Sequence, residues 1–221
     1  MKNLKISRDA VEAFIGVAIL IIVFFTSVAL YSPKENDNVV IIENAYDPGL
    51  ERQQKMDSLR TEIVSEIDKY IVGIAPKTKV DSELMFDLCD MYEVDVRFVM
   101  TQGQIESHYA TAGTAAKTNS IFNVGAYDGH SAERQRRNGF GFDHPNESIE
   151  PYLILLTQEY LVNGKTVHDL MKNFVNYQGL RYASSPTYEN TVKSVYNRIN
   201  KKTNLDILLQ EYNEAKYEIY D

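Results

Sequence analysis

The chain has 221 residues, 44% of them hydrophobic and 24% charged, with a formal net charge of −8. At the usual ~100–200 residues per domain this is one folded domain plus appended segments, and the composition excludes wholesale disorder. The acidic balance excludes a general nucleic-acid binder, and the single cysteine excludes an internal disulfide framework and a multi-thiolate metal site.

The first element is AFIGVAILIIVFFTSVALY, residues 13–31, which carries no formal charge. As a helix it spans roughly 28 Å at ~1.5 Å per residue, close to the ~30 Å hydrocarbon core of a bilayer. Lys2, Lys5 and Arg8 precede it and only Lys34 follows closely, so the positive-inside rule places the N-terminus in the cytoplasm. A cleaved signal peptide competes with this reading. The apolar run exceeds the ~7–15 residues of such a peptide, which favours an uncleaved single-pass anchor over residues 1–32.

Residues 33–80 read as a turn-rich linker (SPKENDN, YDPG) and an amphipathic stalk or first core helix, with Met56, Leu59, Ile63, Ile67, Tyr70 and Ile71 on one face. From Asp81 a compact domain is expected. Asp81 or Ser82 caps a helix whose apolar positions are Leu84, Leu88, Met91 and Tyr92, with Cys89 as a buried small hydrophobe on that stripe. A second helix runs from about Asp95 to Tyr109. A loop of small residues follows, then a strand-like run, Ile121 to Tyr127, closed by the hairpin dipeptide Asp128-Gly129. Pro151 sits at the start of a helix through Leu153, Leu156 and Tyr160, and Thr166 or Asp169 starts another. Tyr188 to Ile199 is helical, and residues 201–221 form an acidic helix or tail. The expected fold is mainly α with one small β-hairpin.

Chemistry concentrates in MTQGQIESHYATAGTAAKTNSIFNVG, residues 100–125. Glu106 falls near a helix C-terminus, one turn after Gln102. A carboxylate against an apolar face loses solvation, and the negative end of the helix disfavours its charge as well; both raise its pKa, as a general acid requires. Metal binding gains no support, because His108, His130, His144 and His168 form no HExxH-like pair. No cofactor is expected. Arg134, Arg136 and Arg137 are the one basic cluster.

The pattern Gln102-x-x-x-Glu106-Ser107 followed by Asn119-Ser120-Ile121-Phe122-Asn123-Val124-Gly125 resembles the glucosaminidase family of peptidoglycan hydrolases. Phe142 to Ile149 and Arg181 to Tyr188 agree with two later family segments in order and spacing, so the resemblance covers about residues 81–200. It implies an α+β lysozyme-like fold, with a cleft between a helical lobe and a β-hairpin lobe. It implies cleavage of β-1,4 bonds in peptidoglycan glycan strands as an endo-β-N-acetylglucosaminidase. Glu106 falls on the family's acid and Tyr182 on a tyrosine lining the cleft beside it. Gln102, Phe122 and Asn123 fall at substrate-binding positions, and Tyr188 reads as packing. For the second carboxylate Glu133 comes first and Asp128 second, although Asp128 also suits a plain turn. The anchor then holds a catalytic domain on the periplasmic or wall side of the inner membrane, in a cell or in a phage lysin. A lytic transglycosylase or muramidase, and an inactive wall-binding protein, are the alternatives.

Overall fold

The computed structural model describes residues 47–124 and 141–217. The expected anchor (residues 13–31), the linker up to residue 46, Asp128 and Glu133 lie outside them. Among the described residues no helix is long and apolar enough to cross a membrane.

Helix α1 spans Pro48–Ile74. Asp47 caps it by accepting from the N–H groups of Gly49 and Leu50 at 2.9 and 3.3 Å, and Pro48 fills the first turn where no donor is needed. The expected apolar stripe is present, but it is not a stalk. Ile63, Ile67 and Ile71 are completely buried, and α1 packs on both the next helix and the last one. The compact unit of the chain begins at Asp47 and so includes α1.

Helix α2, Ser82–Met91, is capped by Asp81 through Glu83 and Leu84 N–H. Its buried residues are Met85, Phe86 and Cys89, whereas Leu84 and Met91 are 38% and 70% exposed. The buried stripe is thus rotated from the expected one, although Cys89 is buried as expected. Apolar residues occupy both faces of this short helix, so periodicity alone does not choose between them.

Helix α3, Val96–Ser107, is the centre of the molecule; Phe98, Val99 and Met100 are completely buried. It stops where His108, Tyr109 and Ala110 take successive positive φ values of 48°, 55° and 62°. After the short helix α4, Ala115–Thr118, residues 119–124 form turns and not the expected strand. Asn119 and Asn123 sit at φ 53° and 50°, which breaks an extended ladder. No strand exists among the described residues; an isolated antiparallel bridge joins Val175 and Arg181.

A single 3-10 turn, Pro145–Ser148, leads into α5, Ile149–Leu155, which continues as a π turn over Leu156–Tyr160. Thr166 and Asp169 cap the one-turn helix α6, Val167–Leu170, reciprocally. Helix α7, Tyr188–Lys202, packs along α3, and α8, Leu205–Tyr217, packs along α1. The fold is mainly helical, as expected.

Candidate active site

Glu106 lies in the last turn of α3, half-buried. Three local devices fix that helix end. The Ser107 hydroxyl donates to the Ile121 carbonyl at 2.6 Å and accepts from Ala110 N–H at 2.7 Å. The Asn123 side-chain N–H donates to the Glu106 carbonyl at 2.7 Å. Gly103 admits the Tyr109 ring, since a Cβ there would lie 3.1 Å from both Tyr109 and Ile121. The 119–124 segment is held from its other side by Ser148, whose hydroxyl accepts from Ile121 N–H at 3.0 Å.

The first residue of α7 completes the site. The Tyr188 hydroxyl bonds a carboxyl oxygen of Glu106 and also lies 2.9 Å from Oε1 of Gln102. Tyr182 stacks on Phe174 at 4.4 Å and on Tyr188 at 5.7 Å between ring centres, and its hydroxyl donates to the Phe122 carbonyl at 3.3 Å. Burial pushes the Glu106 carboxyl above the ordinary carboxylate range, while hydrogen bonds from Tyr188 and Asn123 pull it partly back. Burial pushes the Tyr188 and Tyr182 phenols up as well, so both are neutral at physiological pH. The arrangement is a partly desolvated carboxylic acid against uncharged aromatic donors, able to hold a proton and to give it up.

Of the residues singled out by sequence, Gln102, Glu106, Asn123 and Tyr182 meet here. Gln102 and Phe122 are placed differently from expectation. Gln102 is completely buried and contacts Tyr188, so it presents no surface to a substrate. Phe122 is 1% exposed with its ring stacked on Tyr152 at 3.9 Å, so that ring faces the core and only its carbonyl reaches the site. Ile121, tied to Ser107 and Ser148, sets the neighbouring Phe122 ring on Tyr152, and Gln102 meets Tyr188 at the start of α7. Tyr188, which the sequence reading assigns to packing, is the direct partner of Glu106. Its signal is the Pro186-Thr187-Tyr188 opening of a helix. Two cavities, of about 430 and 280 Å³, lie elsewhere. The larger includes Arg97 on α3, nine residues and roughly 14 Å along the helix from Glu106.

A family model described as Glucosaminidase (mannosyl-glycoprotein endo-beta-N-acetylglucosaminidase) matches residues 82–201, just over half of the chain. The matched span contains every residue of the site above and excludes α1 and α8. No curated protein matches the chain.

Proposed function

The chain belongs to the glucosaminidase family of glycoside hydrolases, and from that premise we propose that it cleaves β-1,4 glycosidic bonds of peptidoglycan glycan strands with Glu106 as the general acid. The observation that carries this reading is a carboxyl held above its ordinary range by burial, at the end of the central helix, with Tyr188 bonded to it. A carboxyl that keeps its proton to higher pH than usual can protonate the leaving oxygen as the sugar takes on oxocarbenium character. Tyr182, stacked on Tyr188, walls the acid on one side, and Asn123 fixes its backbone.

The second carboxylate is Glu133 in this proposal, with Asp128 as the substitute. A separation of ~6.5–9.5 Å from Glu106 would mean inversion through a water, and ~5–5.5 Å retention through a covalent intermediate. Residues 13–31 anchor the chain in the inner membrane, with the catalytic domain on the wall side.

The full-length chain is expected to clear a wall-containing zymogram, and Glu106→Gln to clear it about 10²–10⁴-fold more weakly. Equal clearing by both would remove Glu106 from the mechanism. No clearing by either would favour a wall-binding protein. Mass spectrometry of the digest is expected to show reducing N-acetylglucosamine ends; anhydro-muramic ends would instead mean a transglycosylase. Resistance of the bound chain to carbonate extraction checks the anchor.

A further inference from the structure

The Tyr188 hydroxyl stands between two oxygens, Oε1 of Glu106 and Oε1 of Gln102, and has one hydrogen to give. When Glu106 is ionised, that hydrogen goes to the carboxylate. The Tyr188 lone pairs then face those of the Gln102 carbonyl at 2.9 Å, in an interior with no solvent to relieve them. When Glu106 is protonated the conflict disappears. Glu106 donates to Tyr188, and Tyr188 donates to Gln102. The amide orientation in the structure therefore matches the neutral acid.

The other end of the same amide supplies a second, independent observation. Gln102 is completely buried, and its Nε2 has no hydrogen-bond partner among the described residues. An orphaned buried donor is costlier than an orphaned acceptor. A half-turn of the amide brings the NH₂ onto the Tyr188 oxygen and leaves only an acceptor without a partner. That orientation suits ionised Glu106, since Tyr188 then donates to the carboxylate and accepts from Gln102.

We propose that Gln102 is a positioning residue whose buried amide turns with the proton on Glu106, carbonyl toward Tyr188 when the acid is charged with its proton and NH₂ toward Tyr188 once the proton has left. This rests on Glu106 being the acid of the proposed reaction. When the proton passes to the leaving glycosidic oxygen, the acid's O–H bond breaks and the negative charge stays on its carboxylate. Tyr188 and Gln102 keep all their hydrogens and only reorient. The turn supplies a donor chain to the new carboxylate without admitting water. Among the described residues, the titratable groups facing Glu106 are the phenols of Tyr152 on α5, Tyr182 in the preceding loop and Tyr188 on α7, all uncharged in this range.

The test is a pH titration of the full-length chain by NMR, with ¹³C on glutamate carboxyls and ¹⁵N on glutamine side chains. Glu106→Gln and Gln102→Leu identify the two signals. The Gln102 amide signals are expected to shift with the same midpoint as the Glu106 carboxyl. In Tyr188→Phe they should stay flat while Glu106 still titrates. In Gln102→Leu both protonation states lose one Tyr188–Gln102 hydrogen bond, so the Glu106 midpoint is expected to move by less than about half a pH unit, whereas loss of an amide fixed with its carbonyl toward Tyr188 would lower it by about one unit, the worth of one buried hydrogen bond. Gln102 signals that stay flat through the wild-type titration overturn the proposal, and so does a Glu106 midpoint that falls by about one pH unit in Gln102→Leu. If Gln102→Leu does not fold, the wild-type and Tyr188→Phe titrations decide alone. Because the titration needs no substrate, its failure is separate from a failed zymogram, which would count against the hydrolase reading instead.

Discussion

Glu106 holds its proton more tightly in the folded chain than in the unfolded one, and this makes the proposed acid a stability liability above its folded-state pKa. Its folded-state pKa is raised, so the associated stability is fully present below the ordinary carboxylate value and is lost as pH rises through the folded value. Glu106→Gln removes a charge that the site disfavours. Its Tm is therefore expected to exceed that of the wild type at pH 7, with the gain disappearing below about pH 4, where both side chains are neutral. A thermal melt series across that range checks the sign. A Tm gain that persists at low pH would mean the substitution acts through packing. The placement of Glu106 at a helix end, half-buried, is legible from sequence, because one segment brings a carboxylate, a helix end and a small-residue loop together. Its partner Tyr188 is not legible, since the two are 82 residues apart and only the packing of α7 on α3 joins them.

At the scale of the element, the end of α3 is where local preference is most strongly overruled. Three consecutive non-glycine residues at positive φ cost on the order of 1–3 kcal/mol each unless the surroundings hold them. Ser107 does much of that holding, with a hydroxyl that is 2% exposed and bonded on both sides. Ser107→Ala orphans the Ala110 N–H and the Ile121 carbonyl, and is expected to destabilise the fold by about 2–4 kcal/mol. Activity is expected to fall further than stability accounts for, because Asn119 to Asn123 and Glu106 lose their common tie. Chemical denaturation beside the zymogram measures both. Gly103→Ala should act in the same direction, by about 1–2 kcal/mol, since neither Tyr109 nor Ile121 has room to retreat. The Glu106-Ser107 pair therefore reads correctly as a motif, yet its second member is architectural, and the sequence pattern does not separate the two roles. The same overruling turns Ile121 to Val124 from an expected strand into turns: β-forming side chains yield to two left-handed asparagines.

For the whole molecule, α1 and α8 lie outside the matched family span and pack against each other. They are tied to the catalytic core as well. The Tyr70 hydroxyl donates to Gln104 on α3 at 2.9 Å, and Arg60 pairs with Glu83 and Asp87 of α2 at 2.8 and 2.7 Å. Leu59, Ile63, Ile67, Tyr70 and Ile71 are each less than 8% exposed. At about 1.5–3 kcal/mol per buried side chain they supply as much as a typical domain's whole net stability of about 5–15 kcal/mol. A chain beginning at Asp81 is therefore expected to lose cooperative unfolding, while one beginning at Asp47 keeps it. Circular dichroism melts of the two distinguish a core helix from a stalk.

The sequence by itself determined the family, the helical class, the helix starts near residues 81 and 166, and the segment that carries the candidate acid. Each of these is written in contiguous residues, where spacing along one helix or turn carries the physics. The tertiary structure alone decided which face of α2 is buried and that α1 belongs to the core. It also decided that Phe122 and Gln102 point inward and that Tyr188 meets Glu106. Those outcomes depend on which surfaces find each other across long stretches of chain, and burial is allotted by that competition and not by any local pattern.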